Sequence, residues 1–519
     1  MTEHCNSIGY GQTKRCEIVV LVDPYSTGCV IALEILKRGY QIFALWSHDI
    51  ADENKLHVPN SCSDLNYARQ IISLGPNRLD ATAQLLEAAA KEINGSIISL
   101  ICGGEHGVGL ADALGENMGL ISNGTGIAKR RDKKLQQELV AARGLRSVRQ
   151  AGGHEFELDV KEFLLKEEYP VVVKPVESAG SDGVKLCYNF DEAKEHFNIL
   201  KNSQMRVGCA SGAAVLCQEF LKGTEYVVDH VSRDGVHKTV MVWMYDKRPA
   251  NGGDFVYFGL IPVDSGTDVA KVLISYTRGV LDAMGVKHGA SHGEVILRSD
   301  GPCLVEMNCR AHGGDGNWRG LVCGLNGGYS QVEATVDAYL DPESFNRLPD
   351  KMPSPFQKAG QEVTLVSYAR GIVKRTPGFE AIRELPSFVN LETSYHVGSK
   401  VEPTVDLFTC IGSVILMHDD PTVVERDHDF IRHLEETNTL FDLEYNEDVR
   451  KHSNDSPVIL SVASTPDASD EEGISDVEHP RRDTGFQKRS LELSSPRPVT
   501  ECTKFHVSLP SKRRTIAFN

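Results

Sequence analysis

From Glu17 onward, short aliphatic and β-branched runs alternate with stretches in which apolar residues recur every three or four positions. Ile18–Val22 reads as a buried strand, Gly28–Arg38 as a helix and Gln41–Leu45 as a second strand; Asp80–Glu92 and Ile97–Ile101 repeat the pair. This β-α-β-α-β rhythm predicts a parallel sheet with helices on its faces. The strand-to-helix turn Asp23-Pro-Tyr-Ser-Thr-Gly28 lacks the three-glycine fingerprint of a dinucleotide site and reads as a tight turn.

Further along, helices are predicted over Lys129–Gly144, Glu192–Lys201 and Val269–Met284, and strands over Pro170–Pro175 and Val215–Leu221. Glu225–Val231 and Thr239–Tyr245 flank Arg233-Asp-Gly235 as a hairpin, and Gly293–Leu297 with Cys303–Met307 form another across Ser299–Pro302. Met352-Pro-Ser-Pro355 marks a boundary, after which Gln361–Asp442 reads as an appended α+β unit. Past Arg450 the chain turns to Ser, Asp, Glu and Pro, too poor in apolar residues to offset the entropy of ordering. It reads as a disordered tail, inert and solvated, with phosphorylation at the Ser456-Pro and Ser495-Pro pairs as the alternative. The expected organisation is a flexible 1–16, an α/β domain over 17–125 and a central domain over 126–350 with a lid subdomain at about 165–222. A carboxy-terminal α+β domain over 356–448 and the tail 451–519 complete it.

At 519 residues the chain is too long for one core, so several domains are required. No apolar run approaches the ~20 residues that cross a bilayer, which argues against a membrane role. A formal charge of −17 argues against nucleic acid as a partner, because backbone phosphates are bound by clustered Lys and Arg. Thirteen Cys without a CxxC pair fit reduced thiols, and the first apolar run is too short for a signal peptide core. A cytoplasmic protein is expected.

The chemistry concentrates in the hairpin His292-Gly-Glu294 to Glu306-Met-Asn308-Cys-Arg310. Glu306, Asn308 and Arg310 alternate, so a strand puts them on one face beside Glu294 of the neighbouring strand. Two carboxylates and an amide oxygen suit Mg²⁺, and Arg310 is placed to steady a phosphate or carboxylate. A solvated strand face is the bland alternative. Earlier, Lys174 ends an apolar strand, where an ammonium is costly unless an anion meets it. The small-residue loop Ser178-Ala179-Gly180-Ser181-Asp182-Gly183 follows it and offers backbone amides to phosphate oxygens. It is not a Walker loop, because the Lys precedes the glycines. No Gly-x-Ser-x-Gly elbow suggests a covalent acyl-enzyme.

Lys133, Lys174, the small-residue loop, Gln218-Glu219-Phe220-Leu221 to Glu225, Glu294 and Glu306-Met-Asn308-Cys-Arg310 occur in an order that resembles the ATP-grasp superfamily over roughly residues 15 to 345. Within it the chain looks most like the L-amino-acid ligases; Gly371-Ile-Val, Pro377-Gly378, Val397-Gly398 and Ile411-Gly412-Ser413 resemble their carboxy-terminal domain. The resemblance implies an ATP-grasp fold of mixed α/β and α+β class, with a parallel α/β domain before the grasp and an appended α+β domain after it. It implies that Lys133 and Lys174 hold the ATP phosphates under a lid formed by Ser178, Ala179, Gly180, Ser181 and Gly183. Glu219, Phe220 and Leu221 would line the adenine pocket through main-chain bonds, with Glu225 near the ribose. Glu294, Glu306 and Asn308 would bind one or two Mg²⁺, with Mn²⁺ as an alternative, and catalytic Arg310 would face the acyl phosphate.

For the first substrate, Glu105 would meet the ammonium and Arg310 the carboxylate of an amino acid, while Gly313 and Gly314 leave the pocket wall open. Phe258-Gly-Leu-Ile261 departs from relatives that carry a His before the equivalent of Pro262, which puts substrate identity in doubt. His292 and His312 are read chiefly as packing residues, with substrate contact as the alternative. The reaction implied is ATP-dependent joining of a small-molecule carboxylate to an amine through an acyl phosphate, in a monomer or homodimer. A carboxylase-like or purine-pathway enzyme and an inactive nucleotide-binding regulator stay open.

Overall fold

The computed structural model describes residues 15–127, 130–176, 183–202 and 214–444. The chain divides into Met1–Asn454 and Asp455–Asn519; the second unit, and with it the expected tail 451–519, lies outside the described residues. So do most of the expected flexible segment 1–16 and the loop residues Ser178, Ala179, Gly180 and Ser181.

Four parallel strands open the fold: β1 (Cys16–Val22), β2 (Gln41–Trp46), β3 (Arg69–Ile72) and β4 (Gly95–Cys102), in the order β3-β2-β1-β4. The unbroken apolar run of β1 arises because both faces are covered. Ile18, Val20 and Val22 pack with Leu86 and Leu114, whereas Val19 and Leu21 pack with Ile31 and Ile35. Helix Thr27–Lys37 starts so close to the end of β4 that a Cβ at Gly28 would lie 2.6 Å from the Gly103 carbonyl oxygen. Only glycine permits this packing.

A small antiparallel sheet follows, made of β5 (Gln150–Gly153), β6 (Val171–Pro175), β7 (Lys185–Cys187) and β8 (Val215–Glu219) in the order β5-β8-β6-β7. Helix Phe190–Lys201, capped by Asn189, covers it with Phe197 and Ala193 against Val171, Val173 and Cys217. This sheet begins at Gln150, ahead of the expected lid start near 165. Gln-Ala-Gly-Gly carries no β-branched or aromatic residue, so it reads poorly as a strand.

The largest sheet contains β9 (Thr224–Arg233), β10 (Val236–Ala250), β11 (Gly253–Pro262), β12 (Gly289–Arg298) and β13 (Gly301–Asn308). Then come β14 (Ala359–Leu365), β15 (Gly371–Arg375), β16 (Phe388–Glu392), β17 (Lys400–Val401), β18 (Gly412–His418) and β19 (Asp442–Glu444). Eight of these strands pair in the order β13-β12-β9-β10-β11-β14-β18-β16, while β17-β15-β19 form a small separate sheet. Asn251 and Gly252, both at positive φ, make the tight turn that folds β11 back on β10. The carboxy-terminal region keeps its own core of Val363, Leu365, Phe379, Val414 and Ile431. Its strand β14 nevertheless pairs with β11, Gly259 opposite Val363 and Leu260 opposite Glu362, so it extends the central sheet. No helix of the described residues is long and apolar enough to cross a membrane, and the described cysteines are free thiols.

Candidate active site

Helix Lys133–Ala142 begins at Lys133 because the Asp132 carboxylate caps it, accepting from the backbone N–H groups of Lys134 (2.9 Å) and Leu135 (3.0 Å). One turn later Gln136 clamps edge strand β13, donating to the Met307 carbonyl at 2.8 Å and accepting from its N–H at 2.9 Å. Helix and strand are thereby fixed so that the Lys133 ammonium reaches Glu306 Oε2 at 2.6 Å. Asn308 Nδ2 donates to the other Glu306 oxygen at 3.3 Å. Glu294 lies directly opposite Glu306 in the β12–β13 ladder, as the period-2 reading expects.

Lys133, Glu294 and Glu306 stand in a cleft between the small sheet and the large one. Lys133, Lys174, Glu219, Phe220, Leu221, Glu225, Glu294 and Glu306 all line it. The Glu219 carboxylate itself is taken up by Arg149 (2.9 Å) and Arg146 (3.1 Å), and its backbone N–H donates to the Arg149 carbonyl at 3.0 Å. Lys174 is only 5% exposed and has no carboxylate within 4.0 Å among the described residues. Burial, reinforced by Lys133, pulls its ammonium down to about 8.

Lys247 and Tyr257, which the sequence motifs leave out, complete the cleft. Lys247 of β10 reaches Glu225 at 2.6 Å and lies 4.3 Å from the ring centroids of both Tyr245 and Tyr257. Burial raises the Glu225 carboxyl; Glu294 is held low because, against its own burial, His292 and then Lys247 favour its charge. The Tyr-x-Lys alternation along β10 was the available signal, but Lys247 needs β9 and β11 alongside to acquire its partners.

Arg310, just past β13, meets Glu105 at 2.9 Å, and Arg131 meets the other Glu105 oxygen at 2.8 Å. Burial alone would raise the Glu105 carboxyl, but Arg310 and then Arg131 hold it at about 2. The two groups expected to bracket a zwitterion thus pair with each other, and both Glu105 oxygens have partners. Gly313 has open space where a side chain would stand. At Gly314 a Cβ would come no closer than 3.9 Å to Glu362 or Trp318, but φ is +69°, a conformation that favours glycine. Gly183 is also at positive φ (+74°).

Beyond Glu294 on the same sheet face, Asp229 accepts three N–H bonds: from His292 Nδ1 (2.9 Å), His312 Nδ1 (2.8 Å) and Trp243 Nε1 (2.8 Å). Against the effect of burial, His312 and His292 hold the Asp229 carboxyl far below the usual range. The ligating atoms of Asp229, His292 and His312 lie within 4.8 Å of one another, and their short contacts are hydrogen bonds. His292 and His312 are therefore parts of one polar network and more than packing.

The ATP-grasp domain model matches residues 167–318, which contain most of this site. Dapdiamide A synthase of Enterobacter agglomerans is 31% identical over 430 residues, spanning 81% of this chain and 96% of the relative. The chain belongs to the ATP-grasp ligases. The ATP-grasp architecture extends beyond the matched domain. An L-amino acid ligase from Bacillus licheniformis superposes with a TM-score of 0.64 at 16% identity, covering 84% of this chain and 100% of that one. N5-carboxyaminoimidazole synthetase from Staphylococcus aureus, solved with ADP, superposes with a TM-score of 0.54 at 15% identity over 81% and 98% of the two chains. At such identities these structures share the fold alone.

Proposed function

We propose that this ATP-grasp ligase joins a small-molecule carboxylate, of the amino-acid class, to an amine and releases ADP and phosphate. The observation that carries the reading is the cleft in which Lys133 and Lys174 face Glu294 and Glu306, with Arg310 close by. A substrate carboxylate oxygen attacks the γ-phosphorus of ATP and ADP leaves; the amine nitrogen then attacks the acyl carbon and phosphate leaves. Such chemistry asks the protein mainly for positioning and charge neutralisation.

In this reading Lys133 and Lys174 hold the phosphates. The main chain of Glu219, Phe220 and Leu221 receives the adenine, with Glu225 near the ribose. Glu294, Glu306 and Asn308 would hold Mg²⁺, or Mn²⁺; their hard oxygen donors fit such an ion, and the Lys133 ammonium on Glu306 marks a place that attracts positive charge. When bound, the ion neutralises phosphate charge. Arg310, oriented by Glu105 and through it by Arg131, faces the acyl phosphate, and Gly313 and Gly314 wall the substrate pocket. The work is divided among an α/β domain at 17–125, a grasp domain at 126–350 and a carboxy-terminal region at 356–448. The free thiols suit a reducing, cytoplasmic setting.

The test is phosphate release from ATP and Mg²⁺ across pairs of amino acids, with mass spectrometry of the products. ADP and an amide product are expected. ATP turnover that requires bicarbonate or formate in place of an amino acid would overturn the reading.

A further inference from the structure

Asp229, His292 and Glu294 share one face of the central sheet, because Asp229 lies opposite His292 in the β9–β12 ladder and Glu294 follows two residues on. His312 comes two residues after Arg310 and closes the network from above. Its backbone N–H donates to Gln331 Oε1 at 2.7 Å, and its ring packs 4.3 Å from that of His292, 5.4 Å from Trp318 and 5.9 Å, edge-on, from Trp243. An ionised Asp229 only accepts hydrogen bonds, so the 2.8 Å contact requires His312 to carry its proton on Nδ1. The lone pair of the neutral ring is then on Nε2. That atom has no hydrogen-bond partner among the described residues, although His312 is only 5% exposed. Unlike both nitrogens of nearby His230, it is not among the unpartnered atoms sealed from water.

We propose that His312 is the general base of the amide-forming step: its Nε2 takes the proton released when the amine attacks the acyl phosphate. This rests on the ligase reading above. The amine nitrogen forms the bond to the acyl carbon, the carbon–oxygen bond to phosphate breaks, and phosphate leaves with that electron pair. The displaced N–H proton passes to Nε2, and the imidazolium so formed is stabilised through Nδ1–H by the Asp229 carboxylate. The charged and titratable groups facing His312 are Asp229 on β9, His292 on β12 and Arg310 in its own segment. Burial, the largest influence, with His292 and Arg310 outweighs Asp229 and lowers the ring's affinity for protons, so it waits in the neutral form that a base requires.

The experiment separates the two half-reactions. Single L-amino acids are supplied as acyl donors with hydroxylamine, a strong nucleophile needing little help with its proton, or with a second amino acid. His312→Asn keeps an N–H where Nδ1 donates to Asp229 but has no basic nitrogen at Nε2. It is expected to make hydroxamate within about threefold of the parent rate, while amide formation between amino acids falls by ~10²-fold or more. His312→Gln, which reaches the Nε2 position without a basic atom, must show the same split, and melting curves establish that both variants fold. Equal losses in both assays, or amide formation that stays near the parent rate, would overturn the assignment. Absence of hydroxamate from the parent protein with every donor would instead refute the acyl-phosphate reading on which it rests.

Discussion

Lys174 is a buried cation whose counter-ion, on the ligase reading, is supplied by the nucleotide. Its side chain is 5% exposed, and burial brings the ammonium from 10.5 to about 8. At about 1.36 kcal/mol per pH unit, that difference means that the charged form costs the nucleotide-free protein roughly 3 kcal/mol. The sign follows from the folded value lying below the unfolded one. The penalty is complete below pH 8, is relieved as pH rises toward 10.5, and is absent when the lysine is neutral in both states. Lys174→Met keeps the apolar stem and removes the charge, so the variant without nucleotide should melt several degrees above the parent at pH 7, by differential scanning calorimetry. The gain should fade as the pH approaches 10. The same variant should bind ATP more weakly by roughly 10- to 100-fold, the range expected for a lost charged hydrogen bond. Near pH 8 the parent should take up about half a proton on binding ATP, read by titration calorimetry in buffers of different ionisation enthalpy. A lower melting temperature for the variant at pH 7, or an unchanged ATP affinity, would refute the reasoning.

Glu306→Gln removes a carboxylate from the proposed ion site and the counter-charge from Lys133 without changing shape, so phosphate release should vanish while far-UV circular dichroism stays unchanged; near-parent turnover would remove Glu306 from the site. Gly314→Ala should cost about 1–2 kcal/mol of folding stability, because φ is +69° even though its Cβ has room. Gly314→Trp should in addition shift kcat/KM toward Gly or Ala by at least ~10-fold over a bulky substrate. Equal losses for small and large substrates would reduce Gly314 to a backbone requirement.

What the sequence by itself determined is local or periodic. The alternation of Glu306, Asn308 and Arg310 puts them on one side of any strand, and Glu294 joins them because a hairpin spans only the few residues at Ser299–Pro302. The unbroken apolar run Ile18–Val22 sufficed to indicate a strand with two covered faces. Lys174 was legible for a similar reason, as a charge at the end of an apolar strand. Tertiary structure decided what depends on residues far apart in the chain. Asp229 drew no notice because its meaning lies in His292 and His312, 63 and 83 positions away. Lys247 is an ordinary alternating lysine until β9 brings Glu225 to it. Glu105 and Arg310, read as recognising the two ends of a zwitterion, also pair with each other across 205 positions, while Arg131 holds the second carboxylate oxygen. The pairing of β14 with β11, which lets the carboxy-terminal region share the central sheet, is likewise invisible in either strand alone. Hydrogen bonds between strands carry no residue-specific signal, so a free sheet edge is recognised only when the partner strand has been folded alongside it.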